Sequence, residues 1–135
     1  MLLALAAAVV IVYLPSLDGR FLNWDDNVYV TENPHLRGKA ADVAEWALTS
    51  HEYAVTWHPL TWLSHALDVH WFGLDDARGH HLVNVILHAA NTVLLGLVVW
   101  RLTRRVWVMA IVAALFALHP QRVEVVSWIA ERKEL

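Results

Sequence analysis

The sequence predicts an all-α membrane protein, with three transmembrane helices and a long external loop containing short amphipathic helices. Three observations carry that expectation. Residues 1–17, 82–100 and 106–121 contain no Asp, Glu, Lys or Arg. Hydrophobic residues make up 58% of the 135-residue chain and charged residues 17%, with a mean hydropathy of +0.42; a soluble domain averages roughly half apolar and a quarter charged. The eight tryptophans (Trp24, Trp46, Trp57, Trp62, Trp71, Trp100, Trp107 and Trp128) are many for this length. Their amphipathic rings suit a membrane–water interface, with burial in a protein core as the other reading.

Residues 1–17 read as the first transmembrane helix, about 25 Å long against a hydrocarbon core of roughly 30 Å. A signal peptide competes, but the basic n-region and small-residue cleavage site it needs are not evident. Residues 18–80 form the external loop, in which ten acids face four bases and Asp18-Gly19, Asn33-Pro34, Gly38 and Gly73 mark turns. Within it Ala40–Leu48 reads as a short helix, and Pro59 opens another, because its missing N–H costs nothing at a first helical position. Leu60, Leu63, Leu67 and Trp71 recur at three- and four-residue steps, with Thr61, His65 and Asp68 opposite. That amphipathic helix lies either in the membrane interface or on a soluble core.

Residues 81–101 are the second transmembrane helix, 102–105 a turn and 106–119 the third. Arg101, Arg104 and Arg105 put that turn in the cytoplasm by the positive-inside rule. The N-terminus is then cytoplasmic and residues 18–80 are external or periplasmic, as is 120–135, read as the truncated start of a second external segment.

A net charge of −3 gives no support for nucleic-acid binding, which needs a clustered basic face, so no nucleic-acid partner is expected. The chain contains no cysteine, which excludes disulfides, thiolate metal sites and cysteine nucleophiles. Three groups of residues remain as candidates for chemistry. Asp25 and Asp26, beside Trp24, would partly desolvate each other and raise at least one pKa, as a general base near neutral pH requires; a solvated Asp-rich turn is the plainer reading. His81, Asn84, His88 and Asn91 share one stripe of the second membrane helix. They either line a substrate or carrier cavity or make inter-helix hydrogen bonds. His119 and Glu124 flank Pro120, the expected first residue of a further helix. Glu124 there would bind a divalent metal, orient a substrate, or pair with Arg122 or Arg20. Spacing supplies no metal ligand set: His81 and His88 are about 10 Å apart along the axis, and there is no His-Glu-x-x-His zinc helix.

The order of these pieces resembles a known family. It runs from Asn23-Trp24-Asp25-Asp26 through Trp57-His58-Pro59-Leu60-Thr61-Trp62-Leu63-Ser64, Leu67-Asp68 and Trp71-Phe72-Gly73. It continues with Gly79-His80-His81-Leu82-Val83-Asn84, His88 and Asn91, then Leu115-Phe116-Ala117-Leu118-His119-Pro120 and on to Arg132-Lys133. The chain is similar to the N-terminal part of the transmembrane and tetratricopeptide-repeat O-mannosyltransferases and their bacterial relatives. The resemblance implies the front part of a C-type glycosyltransferase bundle in a bacterial inner membrane, with repeats following. It implies transfer of a sugar, mannose in the family, from a polyprenyl-phosphate carrier to an acceptor protein with inversion. Asp25 and Asp26 would be the acidic pair, one of them the base. His119 and Glu124 match the family's His-Pro…Glu segment at the outer mouth and would bind substrate or carrier, as would His81, Asn84 and His88 on the reading of the helix stripe as a cavity lining. The family's later membrane helices and repeats lie outside this stretch, so the chain alone is not expected to catalyse. A non-enzymatic anchor or scaffold of a tetratricopeptide-repeat protein is the alternative. A transporter fares worse, because no charged group lies within a spanning segment.

Overall fold

A computed structural model describes residues 1–51 and 53–135; Glu52, one of the ten loop acids, lies outside the described residues. These are helical, with no strand among them. The long elements are α1 (Leu2–Tyr13), α2 (Ala40–Thr49), α3 (Pro59–Phe72), α4 (Ala77–Thr103), α5 (Val106–Leu118) and α6 (Arg122–Ser127). Tight 3₁₀ turns cover Leu14–Asp18, Pro34–Arg37, Tyr53–Val55 and Ile129–Glu134, and a π turn covers Asn27–Thr31.

Only α4, with 27 residues, is long and apolar enough among the described residues to cross a membrane by itself. It begins at Ala77, four residues before the expected 81, because the Asp76 carboxylate accepts the Gly79 N–H at 3.4 Å and caps the first turn. It ends where Arg104 turns left-handed at φ 56° and returns its N–H to the Trp100 carbonyl at 2.8 Å. The two other expected spans are shorter. Residues 1–17 do not form one α-helix: Pro15 lacks an N–H, and from Leu14 the backbone tightens into a 3₁₀ turn. The 13 residues of α5 rise about 20 Å, below the roughly 30 Å of a bilayer core. It stops at Leu118 because His119, preceding Pro120, is extended. The helix expected from Pro120 starts at Arg122 instead.

The helices α1, α4 and α5 pack into a bundle, and α2 and α3 form a layer against its α4 end together with the 3₁₀ turns. Both parts bury polar groups and expose apolar ones. In α4, His80, His81, Asn84, His88, Thr92 and Gly96 face inward at roughly four-residue steps. Leu82, Ile86, Leu94, Leu97 and Val98 face outward. The same inversion holds for α3, whose Thr61, His65 and Asp68 are buried while Leu60, Leu67 and Trp71 are exposed. A soluble core would have taken the opposite face. Polar groups turned inward and an apolar jacket outward are what lipid surroundings favour.

The outer layer has an aromatic centre. Trp62, fully buried, stacks on Tyr29 with ring centroids 4.6 Å apart, among Val30, Ala47, Ile129 and Ala130. The bundle core is smaller, built from Val9, Tyr13, Val85, Ala117 and Val126. The tryptophans divide accordingly: Trp62 is core, whereas Trp24, Trp57, Trp71 and Trp107 are exposed.

Candidate functional site

Asp25 and Asp26 are neighbours with different surroundings. Asp26 is fully buried. Its Oδ2 accepts the Leu22 N–H and its Oδ1 the Ala130 N–H, both at 2.8 Å. One carboxylate thereby pins the segment after α1 to the segment after α6, more than a hundred residues away in sequence. Burial pushes the Asp26 pKa up, and the two backbone N–H donors hold it back. Asp25 is half-buried and lines a cavity of about 540 Å³ with Tyr29, Thr56, His58, Lys133 and Glu134. Lys133 Nζ lies 5.2 Å from the Tyr29 ring and 2.8 Å from Glu131 Oε1. The cavity thus brings a carboxylate and a cation to one wall, a pairing suited to taking a proton beside a bound anion.

The stripe on α4 is engaged in contacts between elements. Asn84 Nδ2 donates to the carbonyls of Val126 and Trp128, each at 3.2 Å. His88 Nε2 lies 3.0 Å from the Ala117 carbonyl. Asn91, at the edge of the stripe, donates to the Leu135 carbonyl. His81 is buried against Gly19, where a Cβ would sit 2.7 Å from its Nε2, so the turn after α1 requires glycine for close approach. His119 and Glu124 are exposed. His119 accepts the Gln121 N–H at Nδ1 and lines a surface groove with Phe116 and Arg122. Arg122 lies 4.4 Å over the Phe116 ring. The structure therefore keeps His119 and Glu124 on the outside and the α4 stripe within.

Sequence reasoning did not anticipate the polar knot between α3, α4 and the segment after α6. Arg132, 4% exposed, is its centre. Its Nη1 lies 2.6 Å from Asp68 Oδ2, its Nε donates to Asn84 Oδ1 at 2.6 Å, and its Nη2 donates to the His80 carbonyl at 3.0 Å. Ser64 Oγ is 3.2 Å from Nη1. His80 Nδ1 approaches Asp68 Oδ2 at 3.4 Å, and His65 packs beside the His80 ring. Burial raises the Asp68 pKa to about 6 although the Arg132 charge pulls it down, and burial drives the His65 pKa well below its usual value. The signal for this knot was present: Thr61, His65 and Asp68 share the polar face of α3, and a protein in lipid turns such a face inward.

Sequence comparison adds a distant likeness. The chain is 32% identical over 132 residues to "Protein O-mannosyl-transferase Tmtc2" of Drosophila melanogaster, and 33% identical over 139 residues to "Protein O-mannosyl-transferase Tmtc1" of the same organism. These matches take in 93% and 96% of the chain. They span 14% and 16% of the relatives' own lengths, so the likeness is to one part of much longer proteins. No family model matches the chain, and no solved structure matches it. At this distance the relatives support kinship with one part of proteins named O-mannosyl-transferases.

Proposed function

We propose that this chain forms the front part of a multi-pass membrane glycosyltransferase that uses a polyprenyl-phosphate-linked sugar and an acceptor hydroxyl on protein. The observation that carries the reading is the division of the acidic pair, with Asp26 clamped in the interior and Asp25 on a cavity beside Lys133. In the reaction the Asp25 carboxylate takes the proton of the acceptor hydroxyl as its oxygen attacks the anomeric carbon. The bond from that carbon to the phosphate oxygen breaks, and the polyprenyl phosphate leaves with inversion. Lys133 faces the negative charge that grows on the leaving phosphate. Asp26 holds the Asp25 backbone in place. His119 and Glu124, on the outside near α6, contact the incoming acceptor or carrier. His81, Asn84 and His88 shape the α4 side without touching substrate.

In this reading α1 with its 3₁₀ extension, α4 and α5 cross the bilayer, the N-terminus is cytoplasmic, and residues 18–80 and 120–135 are external. Tilting or local bilayer thinning accommodates the shorter helices. The direct test uses membranes carrying the full-length protein, a labelled polyprenyl-phosphate mannose and a hydroxyl-bearing acceptor peptide. Transfer of label to the peptide is expected; none, from protein folded in the membrane, would leave a scaffold role. Single cysteines at Ser50 and Thr103 report the orientation. An impermeant thiol reagent on intact cells should label Ser50 only, and labelling of Thr103 alone would reverse the topology.

A further inference from the structure

We propose that His65, Asp68 and His80 form a zinc site that staples α3 to α4. One ligand atom from each residue lies within 4.8 Å of the others, and all three residues are buried. His65 and Asp68 sit one turn apart on α3, and His80 faces them from the first turn of α4.

Three observations point to a cation rather than to packing alone. First, neither ring nitrogen of His65 has a hydrogen-bond partner among the described residues, although the side chain is fully buried. Such an orphan calls for an ion or a water. Second, His80 places its Nε2 3.1 Å from the Gly73 carbonyl, a contact that fixes the proton there and leaves the Nδ1 lone pair for a metal. A backbone acceptor behind the ring is the usual companion of a ligating histidine. Third, His80 Nδ1 and Asp68 Oδ2 are 3.4 Å apart. Two donors on a tetrahedral zinc with bonds near 2.1 Å are also about 3.4 Å apart. Rotation of the His65 ring toward them completes two imidazoles and one carboxylate, and the fourth position remains for water. The imidazole donors select zinc over calcium or magnesium, which prefer oxygen.

Arg132 shares the same carboxylate, with Nη1 2.6 Å from Asp68 Oδ2. Asn84 Oδ1, Ser64 Oγ and the His80 carbonyl also hold the guanidinium. Asp68 can keep one carboxylate oxygen on Arg132 and give the other to the metal, so the buried guanidinium keeps its counter-charge.

The experiment takes the full-length protein in detergent, stripped with a chelator, and adds zinc alone while bound metal and the thermal midpoint are followed. One equivalent of zinc and a rise in midpoint are expected, because the metal binds the folded state. His65→Gln, Asp68→Asn and His80→Gln should each weaken binding at least about 100-fold, whereas His51→Gln and His70→Gln, both at exposed histidines, should not. Where a ligand variant fails to fold, cobalt in the wild-type protein gives the answer through the visible bands of a tetrahedral site. Substoichiometric zinc with no midpoint shift, absent cobalt bands, or equal uptake by folded ligand variants would each overturn the proposal.

Discussion

The outer layer and the bundle solve the same problem with different materials. Both put polar groups inside. The bundle does so with neutral amides and imidazoles aimed at backbone carbonyls: Asn84 at Val126 and Trp128, His88 at Ala117. At Gly96 a Cβ would meet the free end of Leu2, from α1, at 2.3 Å and Ala113 Cβ, from α5, at an ordinary 3.5 Å. The outer layer instead buries full charges, Asp68 against Arg132, beside an aromatic stack on Trp62. Neutral contacts of this kind average well under about 1 kcal/mol each in membranes. A buried ion pair costs desolvation and gives little net stability, yet it is severe to break. The layer that holds the acidic pair is therefore fixed in one arrangement, while the bundle has more tolerance.

Substitutions can sharpen this contrast. Arg132→Met strands the buried Asp68 charge and should cost about 3–5 kcal/mol in denaturation of the purified protein. The double change Asp68→Leu with Arg132→Met should recover most of that loss, since no charge remains unpaired. If the double variant is as weak as the single, the knot contributes through something other than charge.

Acidity reads the same pair. Asp68 has its pKa raised from 3.8 to about 6 in the fold. The folded state then binds more protons than the unfolded one between those values. Its contribution is fully present below pH 3.8 and is lost as pH rises through about 6. His65 and His80, whose pKa burial lowers (to about 4 for His80), work in the opposite sense below their usual values. Subtracting the stability of Asp68→Asn, with His80→Gln in both proteins, from that of its Asp68 parent leaves the Asp68 contribution. The difference should decline across that window, and a flat difference would refute the assignment.

Smaller effects separate two glycines of α4. A Cβ at Gly79 would lie 2.2 Å from Phe72 Cγ and 2.7 Å from Phe72 Cβ, near the root of that side chain. Gly79→Ala should thus destabilise by about 1–3 kcal/mol. At Gly96 the close atom is the free end of Leu2, which can swing away, and the helix gains from alanine's better propensity by up to about 1 kcal/mol. Thermal midpoints of the two variants should rank in that order.

Much of the architecture was legible in the sequence, because charge-free runs and turn residues are local signals. Ala40–Leu48 appears as α2, Pro59 does open α3, and the arginine turn separates α4 from α5. The end of α1 was less legible, since Pro15 acts through backbone geometry that hydropathy does not register. The acidic pair was visible as a pair, but its division was not: the donors to Asp26 come from Leu22 and Ala130, and only folding brings the latter close. Arg132 was hidden for the same reason, as its partners lie 48 to 68 residues away in sequence.

In the proposed reading, two adjacent carboxylates do different work. Asp25→Asn and Asp26→Asn in the full-length protein, each measured for sugar transfer and thermal midpoint in the same preparation, test it directly. Asp25→Asn should lose transfer by about 10²–10⁴-fold with its midpoint unchanged. Asp26→Asn should lower the midpoint, by about 1–3 kcal/mol of stability, as one backbone N–H loses its acceptor. Wild-type transfer by Asp25→Asn, or an unmoved midpoint in Asp26→Asn, would contradict the division.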